Sequence, residues 1–211
     1  MNTGKLLGSI TNKKHANRIH HLVNKGATSV TGVKTNLIAI SGDDIIKGRY
    51  KNDQVIATLT ASDAIVFGSP TYMGGPAAQF KAFADATVES WFAQAWRDKL
   101  AAGFTVSGTP SGDKFSTLQY FHTPAMQHGM IWVGLDDYPG WSHSKASIED
   151  VNRLGSWLGA MAQSDSDQPA DVVPRATDLR TAASLRRRVA TVTLRQVRGA
   201  DVDADQLAAT H

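Results

Sequence analysis

The chain has 211 residues, 42% of them apolar, and a formal net charge of +3. This is enough sequence for one domain with a real core, and it is too apolar for a disordered chain. The absence of cysteine excludes disulfides and thiolate metal sites. No apolar run approaches the ~18–20 residues of a membrane span. The N-terminus lacks the apolar stretch of a secretory signal, so a cytoplasmic location is expected.

Leu6-Leu7-Gly8-Ser9-Ile10 predicts a short first strand. Ile19, Leu22, Val23 and Ala27 then recur at helical spacing, with Gly26 marking the end. Val33 to Ile40 predicts a second strand, closed by Ser41-Gly42-Asp43-Asp44. Residues 42–52 read as a surface loop, and Asn52 or Asp53 is placed to cap a short helix through Leu59. Ala64 to Phe67 is a continuous apolar strand of the kind covered on both faces. It runs into a loop, Gly68-Ser69-Pro70-Thr71-Tyr72-Met73-Gly74-Gly75. From Pro76 a helix begins that puts Phe80, Phe83, Ala84, Thr87 and Trp91 on one face.

Ala101 to Val106 predicts the next strand. Asp113 is placed to cap a helix reaching about Gln127, and Met130 to Leu135 follows as another strand. A short helix is expected near 148–157, and a final helix from Ala176 to about Gln196. A polar tail from Gly199 to His211, expected to fray, lies outside a single domain over 1–198. Alternating strands and helices predict an α/β fold with a parallel sheet wound on both faces.

Parallel strands place the loops at their carboxyl ends on one edge. Ser9–Ala16, Ser69–Gly75 and Ser107–Asp113 are all rich in small and hydroxyl residues, and after the first, third and fourth strands they would meet at one ligand site. The first opens a helix, whose free N–H groups suit a phosphate. Other candidates carry less. His20 and His21 are adjacent on a helix and face different ways, so they cannot share a metal. Asp43-Asp44 and Asp136-Asp137 read as turn formers, His122 as structural or exposed, and Arg186-Arg187-Arg188 as a solvated helix face rather than a nucleic-acid site. Position alone leaves His128 as either a helix cap or a site residue, and Trp91 as core.

From Gly68 to Gly75, through Gln79-Phe80-Lys81-Ala82-Phe83-Ala84-Asp85, Lys99-Leu100-Ala101, Ser107-Gly108-Thr109 and His128-Gly129-Met130, the chain resembles the flavodoxin-like family of WrbA-type NAD(P)H:quinone oxidoreductases and NADPH-dependent FMN reductases. The similarity runs from about Asp63 to Val133. It implies a flavodoxin-like three-layer sandwich with a five-stranded parallel sheet and a noncovalent FMN. By position, Thr11, Asn12, Lys14, His15 and Ala16 would surround the phosphate. Pro70, Thr71, Tyr72, Met73 and Gly74 would line the isoalloxazine, and Ser107, Gly108, Thr109, Gly112 and Asp113 the other wall.

The resemblance also makes Trp91 and His128 catalytic candidates bordering the open face of the flavin, the tryptophan often coming from a neighbouring subunit. One stretch departs from the pattern: Lys14 stands where glycine is common, and Ala16 stands near where a threonine is often found. Charge would there replace lost hydrogen bonds. The function implied is hydride transfer from NADH or NADPH through FMN to a quinone-like acceptor, in a homodimer or homotetramer with no metal. The alternatives are an FMN-binding electron carrier without reductase turnover, or a member with weak FMN binding.

Overall fold

The computed structural model of the chain describes residues 4–10, 30–169 and 171–209, of which 4–10 and 200–209 are described by backbone alone. The predicted helix around Ile19–Ala27, His20, His21 and the phosphate candidates Thr11, Asn12, Lys14, His15 and Ala16 lie outside the described residues.

Strand β1 (Gly4–Ile10) pairs in parallel with β2 (Val33–Ala39) on one side and β5 (Ala64–Tyr72) on the other. Between β2 and β5 lie a one-turn 3-10 helix (Gly42–Asp44), a small antiparallel pair, β3 (Ile45–Ile46) with β4 (Arg49–Tyr50), and helix α1 (Asp53–Thr60). Asn52 caps α1 as expected, its Oδ1 accepting from the Val55 N–H at 3.1 Å. Ser41 and Asp43 act locally in the turn they were read to form.

β5 pairs in parallel with β7 (Leu100–Ser107). The main sheet order is β2-β1-β5-β7, followed by two short strands on the outer side of β7. These are β8 (Ile131–Trp132), against the amino half of β7, and β9 (Ala160–Gln163), against its carboxyl half. The expected fifth strand is therefore present but split, and most of the predicted Met130–Leu135 strand is irregular. Strand order reverses between β1 and β5, which puts a ligand crevice at their carboxyl ends.

Alternation along the strands builds the two faces. Ala64, Val66, Leu100, Ala102, Phe104, Val106, Ala160 and Ala162 point to one core, closed by Leu179, Ala182, Leu185 and Val189 of helix α5 (Ala176–Ala209). Ile65, Phe67 and Ala101 point to the other. There they meet Leu59, Trp96, Phe80 and Phe83 of α2 (Ala78–Ala86), and Leu118, Phe121 and Ala125 of α4 (Lys114–Gln127). Helix α3 (Val88–Phe92) continues α2 after a break at Thr87. This is the flavodoxin-like three-layer sandwich that the resemblance implied.

Several boundaries differ from the sequence reading. Gly68–Tyr72, read as loop, is the second half of β5. The strand continues because Phe104 of β7 lies over Gly68, where a Cβ would come within 2.3 Å of its ring. The true turn is only Met73-Gly74, joining Tyr72 to β6 (Gly75–Pro76). Both residues take positive φ, 48° and 77°, as a two-residue hairpin requires.

No helix forms at 148–157. Asn152 holds that segment as a compact loop: its Nδ2 donates to the Asp137 and Ser156 carbonyls, and its Oδ1 accepts from the Ser156 N–H. The neighbouring Arg153 is pinned to α5 by a buried bidentate pair with Asp178, both N···O distances 2.8 Å. Helix α5 runs past the expected end near Gln196 to Ala209. Arg186, read as part of a solvated face, is 1% exposed, while Arg187 is on the surface and Arg188 pairs with Asp136.

β9 depends on a close approach that permits no side chain: a Cβ on Gly159 would lie 2.2 Å from the Gly103 carbonyl oxygen. Gly159→Ala is expected to destabilise the protein by about 1–3 kcal/mol, measured by urea unfolding.

Candidate functional site

The loops after β5 and β7 meet on the carboxyl edge of the sheet, and their hydrogen bonds show which polar groups are already taken. Ser69 Oγ accepts from the Ala77 N–H at 2.9 Å, tying the end of β5 to the start of α2. Thr105 Oγ1 donates to the Ser69 carbonyl at 2.8 Å. Thr71 Oγ1 lies 2.8 Å from both Thr105 Oγ1 and Thr117 Oγ1. A hydroxyl has one proton, so the direction is fixed: Thr117 donates to Thr71, Thr71 to Thr105, and Thr105 to Ser69. The Thr71 hydroxyl, read from sequence as facing a ligand, is thus turned inward. Pro70 is buried beside Val106 in the β5–β7 ladder. At the end of β5 the exposed residues are Tyr72, Met73 and Gly74.

The second wall begins at Ser107. Its carbonyl accepts from the Ser164 N–H at 2.9 Å, and the Gly108 carbonyl accepts from Gln163 Nε2 at 3.4 Å. A trans peptide points its C=O and N–H in opposite directions. Because Gln163 and Ser164 lie on the β9 side of β7, the N–H groups of Gly108 and Thr109 are directed away from it, Gly108 towards the end of β5. Neither has an acceptor among the described residues, nor do those of Met73 and Gly74.

Gly112 has positive φ, and a Cβ there would lie 2.0 Å from Ser107 Oγ. Asp113 takes the cap position of α4 with φ 52° but makes no side-chain cap bond, so its expected capping hydrogen bond is absent and its carboxylate stays exposed. The sequence reading missed Lys114. This residue is 1% exposed, with Nζ donating to Ser107 Oγ at 2.8 Å and to the Thr109 carbonyl at 2.6 Å. Its only sequence signal is a lysine as the first residue of a helix beneath a small-residue loop.

These groups fit a flat, polar-edged ring such as a flavin. N–H donors with no acceptor among the described residues stand at the ends of two adjacent strands, Tyr72 is exposed, and the glycines carry no side chain over the backbone.

Trp91 and His128 are not brought to this edge within the chain. Helix α4 starts there, and its 14 residues carry the chain about 21 Å across the sheet at 1.5 Å per residue. His128 therefore sits at the amino edge, where the Asp98 N–H donates to the neighbouring Gly129 carbonyl. It stacks on Trp96 with ring centroids 4.4 Å apart, and Nε2 lies 2.9 Å from Thr87 Oγ1. Thr87 donates its own proton to the Ala84 carbonyl, so His128 Nε2 is the donor and Nδ1 is a buried acceptor with no partner among the described residues. Trp91, 38% exposed, lines with His128 a cavity of about 240 Å³. His122 packs edge-on against Trp132, Asp137 accepts from Ser184, and no metal-ligand cluster occurs among the described residues.

Residues 1–137 match the family of NADPH-dependent FMN reductases. The chain belongs to this family. It is 46% identical over 134 residues to "Flavodoxin FldP" of Pseudomonas aeruginosa, covering 64% of this chain and 72% of that one. It is 36% identical over 172 residues to "Quinone-oxidoreductase QR2" of Triphysaria versicolor, covering 75% of this chain and 82% of that one. The crystal structure of a flavodoxin, WrbA-like protein from Agrobacterium tumefaciens superposes with TM-score 0.67 at 34% identity, covering 92% of this chain and 99% of that one. No helix among the described residues is long and apolar enough to cross a membrane.

Burial holds His128 well below its ordinary value, at about 4. Between pH 6.5 and 4 the unfolded chain binds a proton there that the folded chain does not. This contribution is complete above pH 6.5 and is lost as pH falls to 4. The thermal midpoint of the wild type is expected to fall across that window more steeply than that of His128→Gln, compared by calorimetry at pH 7 and 4.5.

Proposed function

We propose that the protein is an FMN-dependent oxidoreductase that takes a hydride from NADH or NADPH and passes two electrons to a quinone-like acceptor. The observation that carries this reading is the set of N–H groups at Met73, Gly74, Gly108 and Thr109, which stand at the ends of β5 and β7 next to the strand switch point and have no acceptor among the described residues. Bound FMN would supply the hydride and electron chemistry. The chain's own residues position and tune it. The N–H donors would hold the polar edge of the ring, Tyr72 would limit solvent on one side, and Gly112 would let the backbone of the second wall approach closely. Thr11, Asn12, Lys14, His15 and Ala16 belong to this reading as the phosphate contacts, with Ser107 and Asp113 completing the second wall.

Trp91 and His128 enter this reading only across subunits, each facing the flavin of another copy in a homodimer or homotetramer. Their distance from the carboxyl edge of their own chain requires this. The exposed Val88, Trp91, Phe92, Met126 and Ile131 around them give that edge the apolar surface an oligomer contact uses. His128, neutral near pH 7, would serve as a packing and hydrogen-bonding group rather than a proton donor.

A second reading, an FMN electron carrier without turnover, draws on the 46% identity to a protein named as a flavodoxin. One series of measurements separates the two. The purified protein is expected to be yellow, or to take up added FMN with quenching of flavin fluorescence; a protein that does neither removes both readings. Steady oxidation of NADH or NADPH with a quinone present then selects the reductase, whereas reduction of bound flavin without turnover selects the carrier. Mixing subunits of Trp91→Ala with subunits of Gly112→Val is expected to restore part of the activity that each loses alone, because hybrids would contain intact composite sites.

A further inference from the structure

Lys114 is an unusual residue to find in the fold's interior. Its ammonium is 1% exposed and makes no ion pair with a described carboxylate. The acid that acts on it through space, Asp178, is already engaged by both arms of Arg153 and by the Gln163 N–H. Two of the three ammonium protons reach Ser107 Oγ and the Thr109 carbonyl. Ser107 Oγ also lies 3.3 Å from that carbonyl, so Ser107, Thr109 and Lys114 form one closed knot beneath the loop. Gly112 is the residue whose missing side chain makes room for it.

The fold gains little from the charge. Burial pulls the ammonium down to about 8, so the folded chain binds its proton less readily than the unfolded chain does. Stability from this group is gained only as pH rises above 8 towards 10.5. A methionine would fill the same space without a desolvation penalty. A residue kept at a cost to stability is commonly one that serves a site.

Building on the FMN reading above, we propose that Lys114 is a positioning residue of the flavin site, acting in two ways. It ties the Thr109 carbonyl to Ser107 Oγ, which fixes the course of the loop after β7. Its buried positive charge beneath the flavin wall favours the more negatively charged, reduced flavin over the oxidised form.

The test is Lys114→Met, with flavin affinity measured by fluorescence quenching and the two-electron potential by dye equilibration. The variant is expected to bind oxidised FMN several-fold more weakly and reduced FMN about tenfold more weakly still. That additional factor corresponds to a potential lower by about 30 mV, and the thermal midpoint is expected to be unchanged or higher. A variant with wild-type affinity and potential overturns the proposal. So does one that loses affinity and stability together with no change in potential, which is the outcome of a purely structural role. If Lys114→Met does not fold, the wild type decides: in ¹⁵N-lysine-labelled protein the Lys114 Nζ resonance is expected to shift on FMN addition, and an unmoved resonance overturns the proposal. A wild type that binds no flavin overturns the functional reading itself, and is recognised before any variant is made.

Discussion

The structure depends on what happens to the backbone polar groups where β5 and β7 end. Inside the sheet the two strands pair residue by residue from Ala64 with Leu100 onwards. Beyond the last pair, Pro70 with Val106, each remaining group must find a new partner or face a ligand. The protein takes the Ser107 and Gly108 carbonyls on the β9 side for itself, through Ser164 and Gln163. The peptide geometry then leaves the opposed N–H groups for a ligand. The groups left open at this edge are mostly backbone, in keeping with loops built from glycine, serine, threonine and proline.

The same bookkeeping of donors and acceptors explains the hydroxyls. A threonine pointing into a crevice would be an attractive ligand contact, yet Thr71 is the middle member of a directed chain from Thr117 to the Ser69 carbonyl. That chain lets β5 extend to Tyr72 and locks α4 to the two central strands. Rigidity at the crevice comes from these buried contacts, together with the ring of Phe104 seated over Gly68. A cofactor held by backbone needs such support, because a small error in the direction of an N–H loses its hydrogen bond.

The two edges of the sheet have divided roles. The carboxyl edge carries the open donors. The amino edge carries a closed cluster in which His128 is stacked, hydrogen-bonded and kept neutral, with apolar side chains exposed around it. Helix α4 joins the two, with Lys114 at one end and His128 beyond the other. The two ends of this helix are therefore about 21 Å apart.

Much of this was legible from the sequence, for identifiable reasons. The continuous apolar run Ala64–Phe67 fixed a doubly covered central strand, the alternation of strands and helices fixed the α/β class, and the small-residue loops marked the carboxyl edge. Asn52 as a cap was readable because capping is a local interaction. What the sequence could not show was decided by contacts between distant residues. The extension of β5 through Gly68–Tyr72 needs Phe104 and Thr117. The splitting of the last strand needs Asn152 and the Arg153–Asp178 pair, and the burial of Lys114 needs Ser107 and Gly112. Local pattern determines which elements form and which edge is open. Only tertiary packing decides which polar groups at that edge are consumed by the fold and which are left for a ligand, because each such group is satisfied by a partner far away in the chain.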